Sequence, residues 1–265
     1  MSFSPEWLTL REPADHRARN PELLVAVAAY FGGREDLAVT DLASGQGSTL
    51  RAVSPHLAKG QSWTLVDYDE DLLDAAVRLG AGSDVEIATQ RADLSDDIAS
   101  VLALPADLLT TSAFFDLVSK PWLTQLVKAA AKRRLPVYAA LSYDGRMSCT
   151  PHEELDAAAL AVFNRHQRHD KGFGAALGPT AAETAHRLFE SAGYKVTLAP
   201  SDWRLKADES ELQRQLVEGW HGAVAELKEI PGPALVAWRA HRLAAIAAGK
   251  AELMVGHVDL WAVPA

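Results

Sequence analysis

The sequence predicts an α/β fold on a mostly parallel sheet, and three observations predict it. Short apolar runs recur through the first half of the chain: Val39-Thr40-Asp41-Leu42, Trp63-Thr64-Leu65-Val66-Asp67, Val85-Glu86-Ile87 leading to Ala92-Asp93-Leu94, and Ala106-Asp107-Leu108-Leu109-Thr110-Thr111. Stretches with helix signals separate these runs, an alternation that builds parallel sheets because parallel strands need a crossover connection. The first run passes directly into Ala43-Ser44-Gly45-Gln46-Gly47-Ser48, where two glycines let the backbone turn tightly and approach a ligand closely.

Each element has its own local signal. Asn20-Pro21-Glu22 supplies an N-cap, a proline at the first helical position and an early acid, and Gly32-Gly33 ends that helix ahead of the first strand. After the glycine turn, helix is expected from Ser48 at least to Pro55, and again from Asp69 to Leu79, acidic at its start and stopped by Gly80. Ser95 to Leu102 is a shorter helix. Ser112 to Lys132 carries helical spacing with Pro121 as a break, and Pro136 to Leu141 returns as a strand. In the second half, Asp156 to Arg168 reads as a helix within an insertion over 151–177. Thr180-Ala181-Ala182-Glu183 has capping-box spacing, Gly193 ends that helix, and Tyr194 to Leu198 is a strand. A second helical insertion spans 208–248, and Glu252 to Val263 forms the last strand.

Composition narrows the function. The chain has 265 residues, 48% hydrophobic and 23% charged, enough to bury a substantial core as a single domain over 1–265. A net charge of −9 disfavours nucleic acid as the main partner and favours a small-molecule substrate. The segment from Met1 to Trp7 lacks the features of a signal peptide, and no apolar run reaches spanning length, so a cytoplasmic protein without membrane association is expected. Cys149 stands alone, which excludes an intramolecular disulfide and a cysteine-held metal.

The glycine turn discriminates between ligands. A dinucleotide turn uses three glycines in the order G-x-G-x-x-G, the third bringing helix and sheet together beside a pyrophosphate, and here the third position is Leu50. The phosphate-loop pattern G-x-x-x-x-G-K-[ST] is absent. Asp41-Leu42-Ala43-Ser44-Gly45-Gln46-Gly47 resembles the acidic, glycine-rich signature of class I S-adenosylmethionine-dependent methyltransferases, with Ala43 where the first glycine is usual. Asp67 and Asp93 follow at equal intervals and match the family's acids after the second and third strands. The resemblance covers 39–142 well and continues loosely to the end.

The resemblance implies a Rossmann-like, seven-stranded, mostly parallel sheet with helices on both faces, an antiparallel last strand inserted between strands five and six, and helical insertions. It implies S-adenosyl-L-methionine as cofactor and S-adenosyl-L-homocysteine as product. Asp41, Ala43, Gly45 and Gly47 would form the turn beside the methionine portion, Asp67 would take the ribose hydroxyls, and Asp93 with Leu94 the adenine. Tyr68 would lie by the adenine, Ser112 would contact the cofactor backbone, and Arg19 would pair with its carboxylate or be a solvated arginine. The amino-terminal cap, 1–34, and the 151–177 insertion would roof the substrate site of the cofactor-binding half, 35–150.

Methyl transfer to a hydroxyl or protonated amine needs a proton acceptor beyond the carboxyl ends of strands four and five, where Asp116, Tyr143 and Asp144 fall. Phe114 and Phe115 either wall a pocket or fill the core. In the insertion, His166 and His169 with Asp170 read as a proton relay, a polar lid hinged at Gly172 and Gly174, or a solvated helix end; no third ligand supports a metal there. The tryptophans read as core or lid anchors, and the apolar stretch 235–246 as a core cover or a homodimer contact. A non-catalytic binder of the same cofactor and a dinucleotide-dependent oxidoreductase are the alternatives.

Overall fold

The computed structural model describes residues 3–265; the first two residues of the segment read for a signal peptide lie outside the described residues. Two helices, α1 (Pro5–Ala18) and α2 (Pro21–Phe31), precede β1 (Leu37–Leu42). There follow α3 (Ser48–Val53), β2 (Gln61–Asp67), α4 (Glu70–Gly80), β3 (Val85–Arg91), α5 (Ile98–Val101), β4 (Leu108–Ser112), α6 (Lys120–Arg133) and β5 (Val137–Thr150). The second half comprises α7 (Asp156–His166), α8 (Ala181–Ser191), β6 (Tyr194–Pro200), β7 (Trp203–Leu205), α9 (Ser210–Leu227), α10 (Gly232–Ala247) and β8 (Glu252–Pro264).

The sheet runs β3-β2-β1-β4-β5-β8-β6, with β7 added on β8. Strands β1 to β5 pair in parallel, and β8 lies antiparallel between β5 and β6. This is the mostly parallel sheet with an inserted antiparallel last strand; the short β7 is an eighth strand that no sequence signal announced. Alternation along β1 divides the core. Leu37 and Val39 face α2, α3 and α4, while Leu42 faces α6 and α8. Trp261 joins the first of these layers and Phe189 the second.

A third core is built where β5 and β8 run on past the parallel sheet. Trp203, Trp220, Trp238 and Leu253 pack there with α1, α7, α9 and α10. The apolar face of 235–246 thus covers this chain's own core. Among the described residues no helix is long and apolar enough to cross a membrane.

Three local expectations are corrected. Pro121 does not break a helix begun at Ser112: residues 113–119 are non-helical, Ser119 caps α6, and Pro121 sits in its first turn, where a missing N–H costs nothing. β5 does not end at Leu141 but continues to Thr150, past irregularities between Ala139 and Ser142 and between Tyr143 and Met147. The capping box at Thr180 does not form. A 3₁₀ turn over Gly178–Thr180 leads straight into α8, and the Thr180 hydroxyl donates to the Leu177 carbonyl instead.

Asp259 of β8, fully buried, holds several of these parts together. One of its oxygens accepts from the Asn20 backbone N–H at 2.9 Å and the Tyr138 hydroxyl at 2.9 Å, and the other from the Leu141 N–H at 2.8 Å. It therefore fixes the start of α2 and the left-handed turn of Leu141, at φ 56°, to the sheet. Asp259→Ala leaves those donors buried without partners and is expected to lower unfolding free energy by about 3–5 kcal/mol, measured by urea denaturation. A loss under about 1 kcal/mol, the value of an ordinary exposed contact, would contradict this role.

Candidate active site

A cleft opens at the carboxyl ends of β1 to β4. Of the ten residues anticipated for the cofactor, Ala43, Gly45, Asp67, Tyr68, Asp93, Leu94 and Ser112 line it. The structure places Asp41, Gly47 and Arg19 outside that lining. Parallel strands carry their loops to one end, so the polar residues that terminate each strand converge there without being neighbours in sequence.

The turn after β1 is shaped by left-handed backbone. Ala43, Gly45 and Gly47 have φ of 51°, 50° and 76°. At Gly45 the amide N–H donates to Asp67 Oδ2 at 2.8 Å, so the turn grips the acid that ends β2. The other oxygen of Asp67 accepts from the Asp69 N–H at 3.1 Å. Burial raises the Asp67 pKa, against the opposing effect of these bonds. Gly47 serves packing instead: a Cβ there would lie 3.3 Å from Ala76 Cβ, so the glycine lets α3 approach α4. Leu50, one turn on, is 1% exposed and fills the space where a third dinucleotide glycine would bring helix and sheet together.

Asp93 sits on the exposed rim. Its Oδ1 accepts from the Ser95 N–H at 2.9 Å, and bonds from the Ser95 hydroxyl and backbone hold its pKa below the ordinary value. Leu94 beside it is buried, and its carbonyl takes the Trp122 Nε1–H at 2.6 Å. Phe173, from the insertion, meets Phe114 and Trp122 edge-on with ring centroids 5.3 and 5.7 Å apart. Of the two phenylalanines after β4, Phe114 reaches the cleft and Phe115 is core.

Beneath the cleft lies a buried charge cluster. Arg19 is 3% exposed, which removes the reading of a solvated arginine. Its Nη2 donates to Ser112 Oγ at 3.2 Å and Thr49 Oγ1 at 3.4 Å, both on the cleft wall, while Nε and Nη1 have no partner. Burial pushes its pKa down, but Tyr138, Asp259 and Asp15 more than offset this and hold it raised. Asp41 is fully buried. Its Oδ1 accepts from Thr110 Oγ1 at 2.8 Å, Oδ2 has no partner, and burial raises its pKa to about 7 against the pull of Thr110 and Arg19.

The four candidate proton acceptors differ sharply. Tyr143 donates its hydroxyl to Asn164 Oδ1 at 2.7 Å, and burial raises the phenol pKa further from use as a base. Asp144 is bound by Arg146, whose Nε lies 2.7 Å away and which also holds Asp202. His166 pairs with Glu226 at 2.8 Å, and its ring centroid is 5.3 Å from that of His169. None of the three lines the cleft. Asp116 is not part of the lining either, although Phe114 and Leu117 near it are, and its Oδ1 is buried without a partner. Burial raises its pKa to about 6, opposed by backbone N–H groups including that of Tyr143 and by the charge of Arg11.

In the insertion, Asp170 Oδ1 accepts from the Gly172 and Gly174 N–H groups at 2.7 and 3.0 Å, closing the loop on itself. That loop carries Lys171, Gly172 and Phe173 to the cleft, while His166 and His169 are not part of its lining. Among the described residues no three His, Cys, Asp or Glu side chains gather as a metal site.

Other lining residues carry only a weak sequence signal. Leu8, Arg11, Glu12 and Asp15 come from α1, folded across the cleft. Arg11 forms a two-point pair with Asp15, at 2.9 and 3.1 Å, and stacks over Trp203. The i,i+4 spacing of Arg11 and Asp15 was the one visible clue, and it is equally the signature of a solvated helix pair.

No protein-family model matches this sequence, and no curated protein does. Solved structures do match in fold. A cyclopropane-fatty-acyl-phospholipid synthase-like protein from Lactobacillus casei aligns with a TM-score of 0.56 at 12% identity, over 98% of this chain and 94% of its own. A cyclopropane synthase from Mycobacterium tuberculosis aligns at 0.51 and 10%, over 97% and 94%, and the YcgJ protein of Bacillus subtilis at 0.51 and 11%, over 92% and 99%. The chain shares with these structures a Rossmann-like, mostly parallel mixed sheet. In this fold the cleft at the strand ends, with its glycine turn, stands where the sheet order predicts a ligand.

Asp116 yields a direct prediction. Its carboxyl carbon should titrate near pH 6 by ¹³C NMR rather than near 3.8, and the signal should vanish in Asp116→Asn. Because the folded value lies above the unfolded one, the group's contribution to stability is present below pH 3.8 and lost as pH rises through about 6. A midpoint near 3.8 would contradict the buried, unpartnered placement.

Proposed function

We propose that this protein is an S-adenosylmethionine-dependent methyltransferase acting on a small-molecule acceptor, with S-adenosylhomocysteine as product. The observation that carries the reading is the convergence of the Ala43–Gly45 turn, Asp67, Asp93 and Ser112 on one cleft in a Rossmann-like fold.

The residues fit the cofactor chemically. Asp67, oriented by the Gly45 N–H, keeps lone pairs on both oxygens, as two vicinal ribose hydroxyls require. Leu94 and Leu72 offer apolar surface beside Asp93 for a purine. At the other end, the unpartnered guanidinium nitrogens of Arg19 behind Ser112 suit a carboxylate. When bound, S-adenosylmethionine supplies an electrophilic methyl group on a sulfonium centre. The chain's own work is to align the acceptor, exclude water and remove a proton. α1 and the Phe173 loop cover the cleft, and Asp116 Oδ1 is the candidate proton acceptor, since its pKa of about 6 leaves it ionised at neutral pH. A buried Leu50 argues against a dinucleotide.

Isothermal calorimetry decides between the ligands: heat of binding is expected with S-adenosylhomocysteine and none with NAD, and heat with NAD alone would overturn the reading. Asp67→Ala should weaken S-adenosylhomocysteine binding by about 1–3 kcal/mol, the value of charge-assisted hydrogen bonds. Unchanged affinity would remove Asp67 from the ribose site.

A further inference from the structure

Once the cofactor residues are assigned, part of the cleft lining is left over. It comes from α1, from the segment after β4 and from the insertion loop, and its apolar part is Leu8, Phe114, Leu117 and Phe173. The charged side chains of the lining are matched within the protein, with one exception. Arg11 and Asp15 form their two-point pair, at 2.9 and 3.1 Å. Glu12 takes Arg51 through both oxygens, at 2.6 and 2.7 Å. Asp67 and Asp93 accept from backbone N–H groups. Lys171 has no hydrogen bond and no ion pair among the described residues. Glu226 feels its charge, but that carboxylate is held by His166 at 2.8 Å.

The loop that carries this lysine is fixed on both sides. Asp170 Oδ1 accepts from the Gly172 and Gly174 N–H groups, and the Phe173 ring is set edge-on against Phe114 and Trp122. Further on, Ala176 bridges to Ser119, and the Leu177 N–H donates to the Val118 carbonyl at 2.8 Å. Lys171 is therefore half-buried on a support tied to the segment after β4, and it brings a unit positive charge with three donors to the cleft. A neutral ligand leaves that ammonium unmatched. A carboxylate supplies one opposite charge and the acceptor oxygens. A dianion such as a phosphate brings a second negative charge into a lining that already holds Glu12, Asp15, Asp67 and Asp93.

We propose that Lys171 is a specificity-determining residue and that the methyl acceptor is a small apolar molecule bearing a carboxylate. The Lys171 ammonium holds the carboxylate, and Phe114, Leu117 and Phe173 take the apolar body. The inference rests on the methyltransferase reading, which assigns the remainder of the cleft to the cofactor.

The test uses the protein loaded with S-adenosylhomocysteine and three probes that share a phenyl body: benzoate, benzamide and phenyl phosphate. Dissociation constants are read from the amide ¹H–¹⁵N shifts of Gly172 and Gly174. Benzoate is expected to bind saturably and about tenfold or more tightly than benzamide, as a charge-assisted hydrogen bond allows, with phenyl phosphate weaker than benzoate. In Lys171→Gln benzoate should fall to the level of benzamide, and Lys171→Arg, which keeps the charge, should retain the preference; cooperative thermal unfolding checks that each variant is folded. Calorimetry should find the S-adenosylhomocysteine affinity of Lys171→Gln unchanged. Equal binding of benzoate and benzamide, no saturable benzoate shift, tighter binding of phenyl phosphate, or a preference that survives in Lys171→Gln would overturn the carboxylate subsite. A loss of cofactor affinity in Lys171→Gln would also overturn it, by placing the lysine on the cofactor. Failure of S-adenosylhomocysteine to bind the unaltered protein would instead overturn the methyltransferase reading, so the two failures are distinguishable.

Discussion

A single buried cation organises the ground under the cleft. Arg19 has almost no contact with solvent, and a guanidinium in that position is tolerated only where carboxylates and hydroxyls balance it. Asp259 from β8, Asp15 from α1 and Tyr138 from β5 surround it electrostatically, and Thr49 and Ser112 accept its hydrogen bonds. Elements far apart in sequence are thereby tied to one point: the amino-terminal helices, the start of α3, the end of β4 and the last strand. Asp41 lies on the same side at the end of β1, and its own unpartnered oxygen leaves the cluster short of complete satisfaction.

Strain collects at the same level of the fold. Ala43 after β1, Ala113 after β4 and Leu141 in β5 all hold left-handed backbone without being glycine. Each costs about 1–2 kcal/mol relative to ordinary backbone. Ala43 and Ala113 hold this strain beside the cleft and Leu141 holds it within β5, and the surrounding bonds support it: Ala113 N–H to the Ala140 carbonyl, Leu141 N–H to Asp259. The turns at Ala43 and Ala113 present Ser44, Gly45 and Ser112 to the cleft.

Much of this was legible in the sequence because it depends on local chemistry. The apolar runs with polar ends gave β1, β2 and β4, and Asn20-Pro21 gave the start of α2. The glycine turn and the evenly spaced Asp67 and Asp93 pointed to residues that do share one cleft. Features set by tertiary contact were not readable. β5 extends beyond Leu141 because β8 pairs with it, and β7 exists only because β8 offers an edge. Arg11 in α1 and Arg19 just after it carry no mark of burial, since arginines in or beside a helix look alike whether solvated or enclosed. His257 sits in an apolar strand with no nearby partner in sequence, so only the pairing of β8 with β5 brings it beside Tyr143. The histidines of the insertion drew notice by their spacing, but it is Phe173 of the following loop that reaches the cleft.

The most direct measurement is a crystal structure of the protein with S-adenosylhomocysteine. The ribose hydroxyls should lie on the Asp67 carboxylate, the adenine between Leu72 and Leu94 near Asp93, and the homocysteine carboxylate toward Ser112 and Arg19. Ligand density away from the Ala43–Gly45 turn, or a ribose that leaves Asp67 unengaged, would contradict the account.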